Sequence, residues 1–311
     1  MDAAEQALFA GSVRTAMERH SGRDLTAALA DLGWTDALAD DAPRAVAALF
    51  ELQGRTRAAS AALDNVIVSA LGAGIDAGVV LPALGMWSPP GEQRGNRVGV
   101  RGLASAASTR ASTVVVVSGD AQACLVEVGD LNLSPIAGVD PTLGLVEVTG
   151  AGVPAPLDDA HWPAALALGR LALGHELVGA ARTMLELARE HALQRVQFGR
   201  PIAMFQAVRH RLAETLVSVE AAEAVLAAAW DERSATSAAI AKAVSGRAAR
   251  TAARHCQQVL AGIGFTTEHP FQGYVRRVLV LDQLLGSTRA LSTELGRTVL
   301  TERSLPSLLP L

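Results

Sequence analysis

Residues 195–210 read Arg195-Val-Gln-Phe-Gly-Arg-Pro-Ile-Ala-Met-Phe-Gln-Ala-Val-Arg-His210, and this stretch joins two long segments of helical period. Before it, residues 163–192 carry alanine and leucine at three-to-four spacing, with Pro163 at a first helical turn, where its missing N–H costs nothing. After it, the period continues over 202–233, 235–260 and 272–300, the last broken near Gly286. Four long helices with short connections predict an antiparallel bundle.

Working back toward the N-terminus, the texture changes. Short runs rich in β-branched residues, bounded by Gly, Asp and Pro, occupy 113–117, 123–128 and 144–148, which reads as a small β domain. Pro82, Pro89, Pro90, Gly91 and Gly95 mark a connection ahead of it. Helical period returns between 3 and 84, with Leu25, Leu29 and Leu32 on one face, a stop at Gly33-Trp34 and a second helical run over 43–59. The expected fold is therefore mainly α with a small β domain: a helical domain over 1–86, a β domain over 87–158 and a helical bundle over 159–311.

The chain has 311 residues, half of them apolar, which suffices for a substantial core. A net charge of -4 argues against a nucleic-acid binder, because neutralising phosphates needs clustered positive charge. Lys242 is the only lysine, a bias that fits an arginine-rich coding sequence. Cys124 and Cys256 stand far apart with no CxxC pair, and no His/Cys cluster has metal-ligand spacing, so both are expected as reduced core thiols and no metal site is expected. The apolar stretch 164–181 is interrupted by Arg170, His175 and Glu176 and lacks the ~20 uncharged residues of a membrane span. A soluble, cytoplasmic protein without membrane or nucleic-acid partners is the expectation.

The segment at 195–210 resembles the RxxFGxPIxxFQAxxH junction of acyl-CoA dehydrogenases. Gln258-Val-Leu-Ala-Gly-Ile-Gly-Phe-Thr-Thr-Glu-His-Pro270 is similar to that family's QxxGGxG segment, with Ala261 in place of its first glycine. Asp31-Leu-Gly-Trp34 and Gly138-Val-Asp-Pro-Thr142 resemble landmarks of the family's N-terminal and middle domains, and the resemblance is strongest over 155–300. It implies an acyl-CoA dehydrogenase-like fold and FAD held at a subunit interface, its flavin ring on one chain and its ADP part touched by the neighbour. Carried over residue by residue, the cofactor-binding positions are Arg195, Gln197, Phe198, Gln206, Gln258 and Gly262. A guanidinium fork suits a pyrophosphate, Phe198 offers an aromatic face, the Gln side chains can both donate and accept, and glycine permits close approach.

The same resemblance exposes a gap. The family removes the substrate's α-proton with a glutamate, placed in most members in an E-G-T sequence and in some on the first helix of the last domain. Here those positions are Leu285, in Leu284-Leu-Gly-Ser-Thr288, and Gly169, beside Arg170, and neither can take a proton. Glu176, Asp282 and Glu268 lie nearby but at neither position. Before Thr113 the family's flavin-holding elements have no counterpart. The resemblance thus implies the short, non-catalytic subunit of a heteromeric (α2β2) bacterial acyl-CoA dehydrogenase acting on bulky, steroid-derived CoA thioesters. A longer, catalytically complete partner would hold most of the FAD. An active homo-oligomeric flavoenzyme with another base, or a flavin-free helical scaffold, are the alternatives.

Overall fold

The computed structural model describes residues 3–20, 22–72, 77–106, 110–119, 122–157 and 161–303. Five helices come first: α1 (Ala3–Arg19), α2 (Gly22–Asp31), α3 (Trp34–Asp40), α4 (Ala42–Thr56) and α5 (Ala62–Ala70). The stop at Gly33 is a left-handed glycine at φ 75°, a conformation that ends one helix and opens the next. Trp34 then turns inward onto Phe50, ring centroids 6.4 Å apart.

Eight short strands follow in two four-stranded sheets. One, in the order β1-β4-β5-β8, is built from β1 (Gly78–Val79), β4 (Thr113–Val117), β5 (Ala123–Glu127) and β8 (Ala155–Pro156). The other, in the order β2-β3-β7-β6, is built from β2 (Gly91–Arg94), β3 (Arg97–Ser105), β6 (Leu131–Pro135) and β7 (Leu145–Gly152). Valines at 98, 100, 114, 116, 126, 146 and 148 from both sheets form one buried cluster, as alternation in strands dictates. Two differences from the sequence reading stand out. The first strand, β1, pairs in parallel with β4 and lies inside the stretch assigned to the helical domain ending at 86. Strand β2 falls within the Pro- and Gly-rich connection, where turn residues masked a hairpin, Arg94 pairing with Arg97 across it. The expected boundary at 158–159 lies outside the described residues.

The bundle matches its periodicity closely: α6 (Trp162–Gln194), α7 (Gln206–Glu232), α8 (Ala235–Leu260), α9 (Phe271–Gln283) and α10 (Thr288–Glu302). Pro163 sits in the first turn of α6, and the expected break near Gly286 separates α9 from α10. Helix α6 is long and apolar enough by composition to cross a membrane, but 83% of its apolar window is buried within the protein: it is the core helix, with α4, α5, α7, α8 and α9 packed around it.

The three parts meet at Arg277 of α9, which is fully buried. Its guanidinium donates to Ala58 O at 2.7 Å and Arg57 O at 3.0 Å beyond α4, and to Asp140 Oδ2 at 2.6 Å in the loop before β7. It also donates to Glu176 Oε1 on α6 at 3.2 Å. Glu176 accepts a further bond from Gln53 Nε2 at 2.9 Å, and burial holds its carboxyl above the usual carboxylate range. Removing one member of such a network strands a buried charge, which costs about 3–5 kcal/mol. Arg277→Ala is expected to lose that much stability in urea unfolding, and Glu176→Gln in the Arg277→Ala background to recover part of it. A loss under 1 kcal/mol, or no recovery, would contradict the assignment.

Candidate functional site

The junction after α6 is a two-residue hairpin. Strands β9 (Val196–Gln197) and β10 (Arg200–Pro201) flank Phe198 and Gly199, at φ 50° and 75°. Two successive positive φ values mark the tight turn whose twist matches a hairpin. The turn thrusts Phe198 outward, 92% exposed, edge-on to Phe205 at 6.0 Å between centroids. Arg195 is exposed, its carbonyl accepting from Ile202 N at 2.8 Å to fix the base of the hairpin.

Facing the hairpin is the end of α8. Gln258 lies on its exposed face, and Ala261, at φ 52° and ψ -132°, turns the chain where the family has glycine. That backbone is unfavourable for a residue with a Cβ, at a cost of order 1–3 kcal/mol. Gly262 has open space where a Cβ would stand. Arg195, Gln197, Phe198, Gln258 and Gly262 thus line one open groove of about 1160 Å³. Gln206 does not line it: in the first turn of α7 it faces His210, Nε2 to Nε2 3.4 Å. Phe205 and Ile263, which lie within the two quoted motifs, and Arg211, which belongs to neither and is brought there by α7, line the same groove, though the sequence reading gave none of them a role.

A second region presents the opposite picture. Gly169 and Leu285, 116 residues apart in sequence, face each other: a Cβ on Gly169 would meet Leu285 Cδ1 at 2.7 Å and Ile67 Cδ1 at 3.2 Å. Leu285 is 1% exposed. This place is filled, because the leucine occupies the room a side chain at 169 would need. The Leu285 turn is held from two sides by buried cations. Arg170 Nε donates to Leu285 O at 3.1 Å, its guanidinium 6.0 Å from the Trp87 ring centroid. Lys242 Nζ donates to Asp282 O at 3.1 Å and Gly286 O at 3.4 Å. Such a clamp is what keeps Leu285 at φ 55°, a left-handed backbone that a leucine adopts at a cost of roughly 1–2 kcal/mol.

The nearby acids are engaged or on the surface. Glu176 is bound to Arg277 and Gln53. The fully buried Asp282 pairs with Arg250 at 3.1 Å and accepts from Thr288 N at 3.2 Å. Glu268 is exposed on the loop before α9. Lys242 carried a signal in the sequence after all: the one lysine of an otherwise all-arginine chain is fully buried under the turn.

Residues 163–300 match the model of the acyl-CoA dehydrogenase C-terminal domain. Acyl-CoA dehydrogenase IpdE2 of Mycobacterium tuberculosis is 38% identical over 155 residues, which cover 50% of this chain and 48% of that protein. The aligned part thus spans about half the length of that relative. Among solved structures, the Tcur3481-Tcur3483 steroid ACAD superposes at TM-score 0.82 and 21% identity, covering 96% of this chain and 99% of that one. The ChsE4-ChsE5 complex from Mycobacterium tuberculosis superposes at 0.79 and 21%, covering 99% of each. Residues 163–300 thus match an acyl-CoA dehydrogenase C-terminal domain, and the chain has the acyl-CoA dehydrogenase fold.

Burial pulls the Lys242 ammonium down to about 8 from its ordinary 10.5, partly offset by Asp282 and reinforced by Arg170. A folded-state value below the unfolded one means that the unfolded chain binds more protons between the two, so stability rises with pH across that window. Between pH 8 and 10.5 the wild-type protein should therefore gain stability relative to Lys242→Met, measured by urea midpoints at each pH. A difference that stays flat or falls would show that Lys242 remains charged in the fold.

Proposed function

We propose that this chain is the non-catalytic subunit of a heteromeric, FAD-dependent acyl-CoA dehydrogenase, assembled as α2β2 with a longer partner that supplies the catalytic carboxylate. The observation that carries the reading is the contrast between its two regions. Both family base positions are packed against each other and filled by Leu285, whereas the groove of Arg195, Gln197, Phe198, Gln258 and Gly262 is open, an apolar hollow edged by the Arg195, Gln197 and Gln258 donors. The reaction of the complex is introduction of an α,β double bond into an acyl-CoA thioester, and the likeness to IpdE2 and to steroid-type structures supports a bulky, steroid-derived acyl group.

The open groove fits the ADP end of FAD. Arg195 offers a planar fork for a pyrophosphate, Phe198 an exposed aromatic face, Gln258 an amide, and Gly262 a backbone that another molecule can approach without meeting a Cβ. Gln206, turned to His210 outside the groove, is not part of this set. FAD, when bound, accepts the hydride that leaves the substrate's β-carbon. This chain's residues hold the cofactor's far end and exclude water there, and no proton is moved by Leu285 or Gly169. The reading places the complex in the cytoplasm, supported by two buried free thiols and by a long apolar helix spent on the protein core.

The test uses the purified complex with its partner. Arg195→Ala removes a charge-assisted contact worth about 1.5–3 kcal/mol, so FAD dissociation from the complex should become at least roughly tenfold easier. An unchanged FAD affinity would contradict the pyrophosphate assignment.

A further inference from the structure

Where the three parts meet, a small cavity of about 40 Å³ lies against the Arg277 network, with room for about one or two water molecules. Leucines from the helical domain, the sheets and the bundle make up most of its wall. Its polar lining is Gln53, Ser60, Asp64, Ser105 and Glu176. Three of these form a chain: Ser60 Oγ donates to Gln53 Oε1 at 2.8 Å, and Gln53 Nε2 donates to Glu176 Oε2 at 2.9 Å. Gln53 and Glu176 are buried, so neither can exchange this partner for bulk water.

The charges around Glu176 do not balance. Arg277 of α9 brings one positive charge and divides it, Nε donating to Asp140 Oδ2 at 2.6 Å and Nη1 to Glu176 Oε1 at the longer 3.2 Å. A third carboxylate, Asp64 of α5, lines the same cavity and accepts from Ser105 Oγ at 2.7 Å. Other charged neighbours are committed elsewhere. His175 on α6 faces Glu51 of α4 at 3.1 Å, Arg55 of α4 pairs with Glu186 at 3.0 Å, and the Arg57 guanidinium lies over the Tyr274 ring. Lys242 of α8 serves the carbonyls at 282 and 286. One cation shared by two carboxylates leaves a surplus negative charge in a place that bulk water does not reach. Burial pushes the Glu176 carboxyl above its usual range, against the pull of Arg277 and Gln53.

We infer that Ser60, Gln53 and Glu176 form a two-position proton switch at this junction, thrown by one solvent proton taken up on Glu176 Oε2. That proton meets the Gln53 amide nitrogen donor to donor, and a primary amide is nearly symmetric in shape, so Gln53 turns over in the same room. Its Oε1 then accepts from the Glu176 O–H, and its Nε2 donates to Ser60 Oγ. That oxygen already accepts from Ala62 N at 3.2 Å, so both its lone pairs are filled and its own O–H swings into the cavity. With Glu176 neutral, the hold of Arg277 passes to Asp140 and the carbonyls at 57 and 58. Loss of the proton reverses each step. The switch ties α4 to α6 in both positions, and it does not depend on the subunit role proposed above.

Infrared titration of the full chain, with its glutamate carboxyls isotopically labelled, tests it. Glu176 is the one buried glutamate among the described residues, so a labelled band from a protonated carboxyl in a dry site is its own. As pH rises, that band should fade with a midpoint above the ordinary glutamate value of about 4.3, and it should be absent in Glu176→Gln. In NMR spectra, the assigned Gln53 side-chain amide should shift with the same midpoint and stay fixed in Glu176→Gln. A labelled band that never forms while the chain is folded, or that fades at the ordinary value, overturns the switch. A band that titrates while the Gln53 amide holds its position overturns it too. The wild-type chain supplies all the deciding readings, so they stand even where the substitution unfolds the protein.

Discussion

One buried guanidinium holds the three parts of the chain in register. Arg277 leaves α9 and reaches main-chain carbonyls beyond α4, a carboxylate in the β domain and a carboxylate on the core helix α6. A charge that deep is tolerable only when every donor finds a partner, which ties the helical domain, the sheets and the bundle to one geometry. Helices α9 and α10 follow from that anchor. So does the turn between them, and with it the position of Leu285 against Gly169.

From this geometry the two halves of the site acquire opposite characters. Inward, the turn is clamped by Arg170 and Lys242 and packed with Leu285, so the space beside Gly169 is occupied by hydrocarbon. Outward, the hairpin at Phe198 and the end of α8 remain exposed and edged by donors. Both sides carry backbone strain, a positive φ at Leu285 on one and at Ala261 on the other.

Much of this could be read from the residues. The bundle was legible because three of its helices, α6, α7 and α8, keep one period for more than two dozen residues, and because Pro163 and the break at Gly286 punctuate it where the chain does turn. The junction at 195–210 was legible by motif. What escaped was long-range. The strands β1 and β2 hid among turn residues, because a two- or four-residue strand gives almost no alternation to count. That Leu285 fills the space beside Gly169 joins positions 116 residues apart. The landmark Gly138-Val-Asp-Pro-Thr142 looked like a domain end, yet Asp140 proves to be a ligand of Arg277, a pairing that no local pattern announces.

The central claim is that this chain serves a flavin site it does not complete by itself. The most direct test is the flavin content of the complex purified with its longer partner, by absorbance against protein concentration. The account predicts one FAD for each pair of unlike chains, and none retained by this chain purified alone. One FAD per chain, in the complex or in the isolated protein, would contradict it.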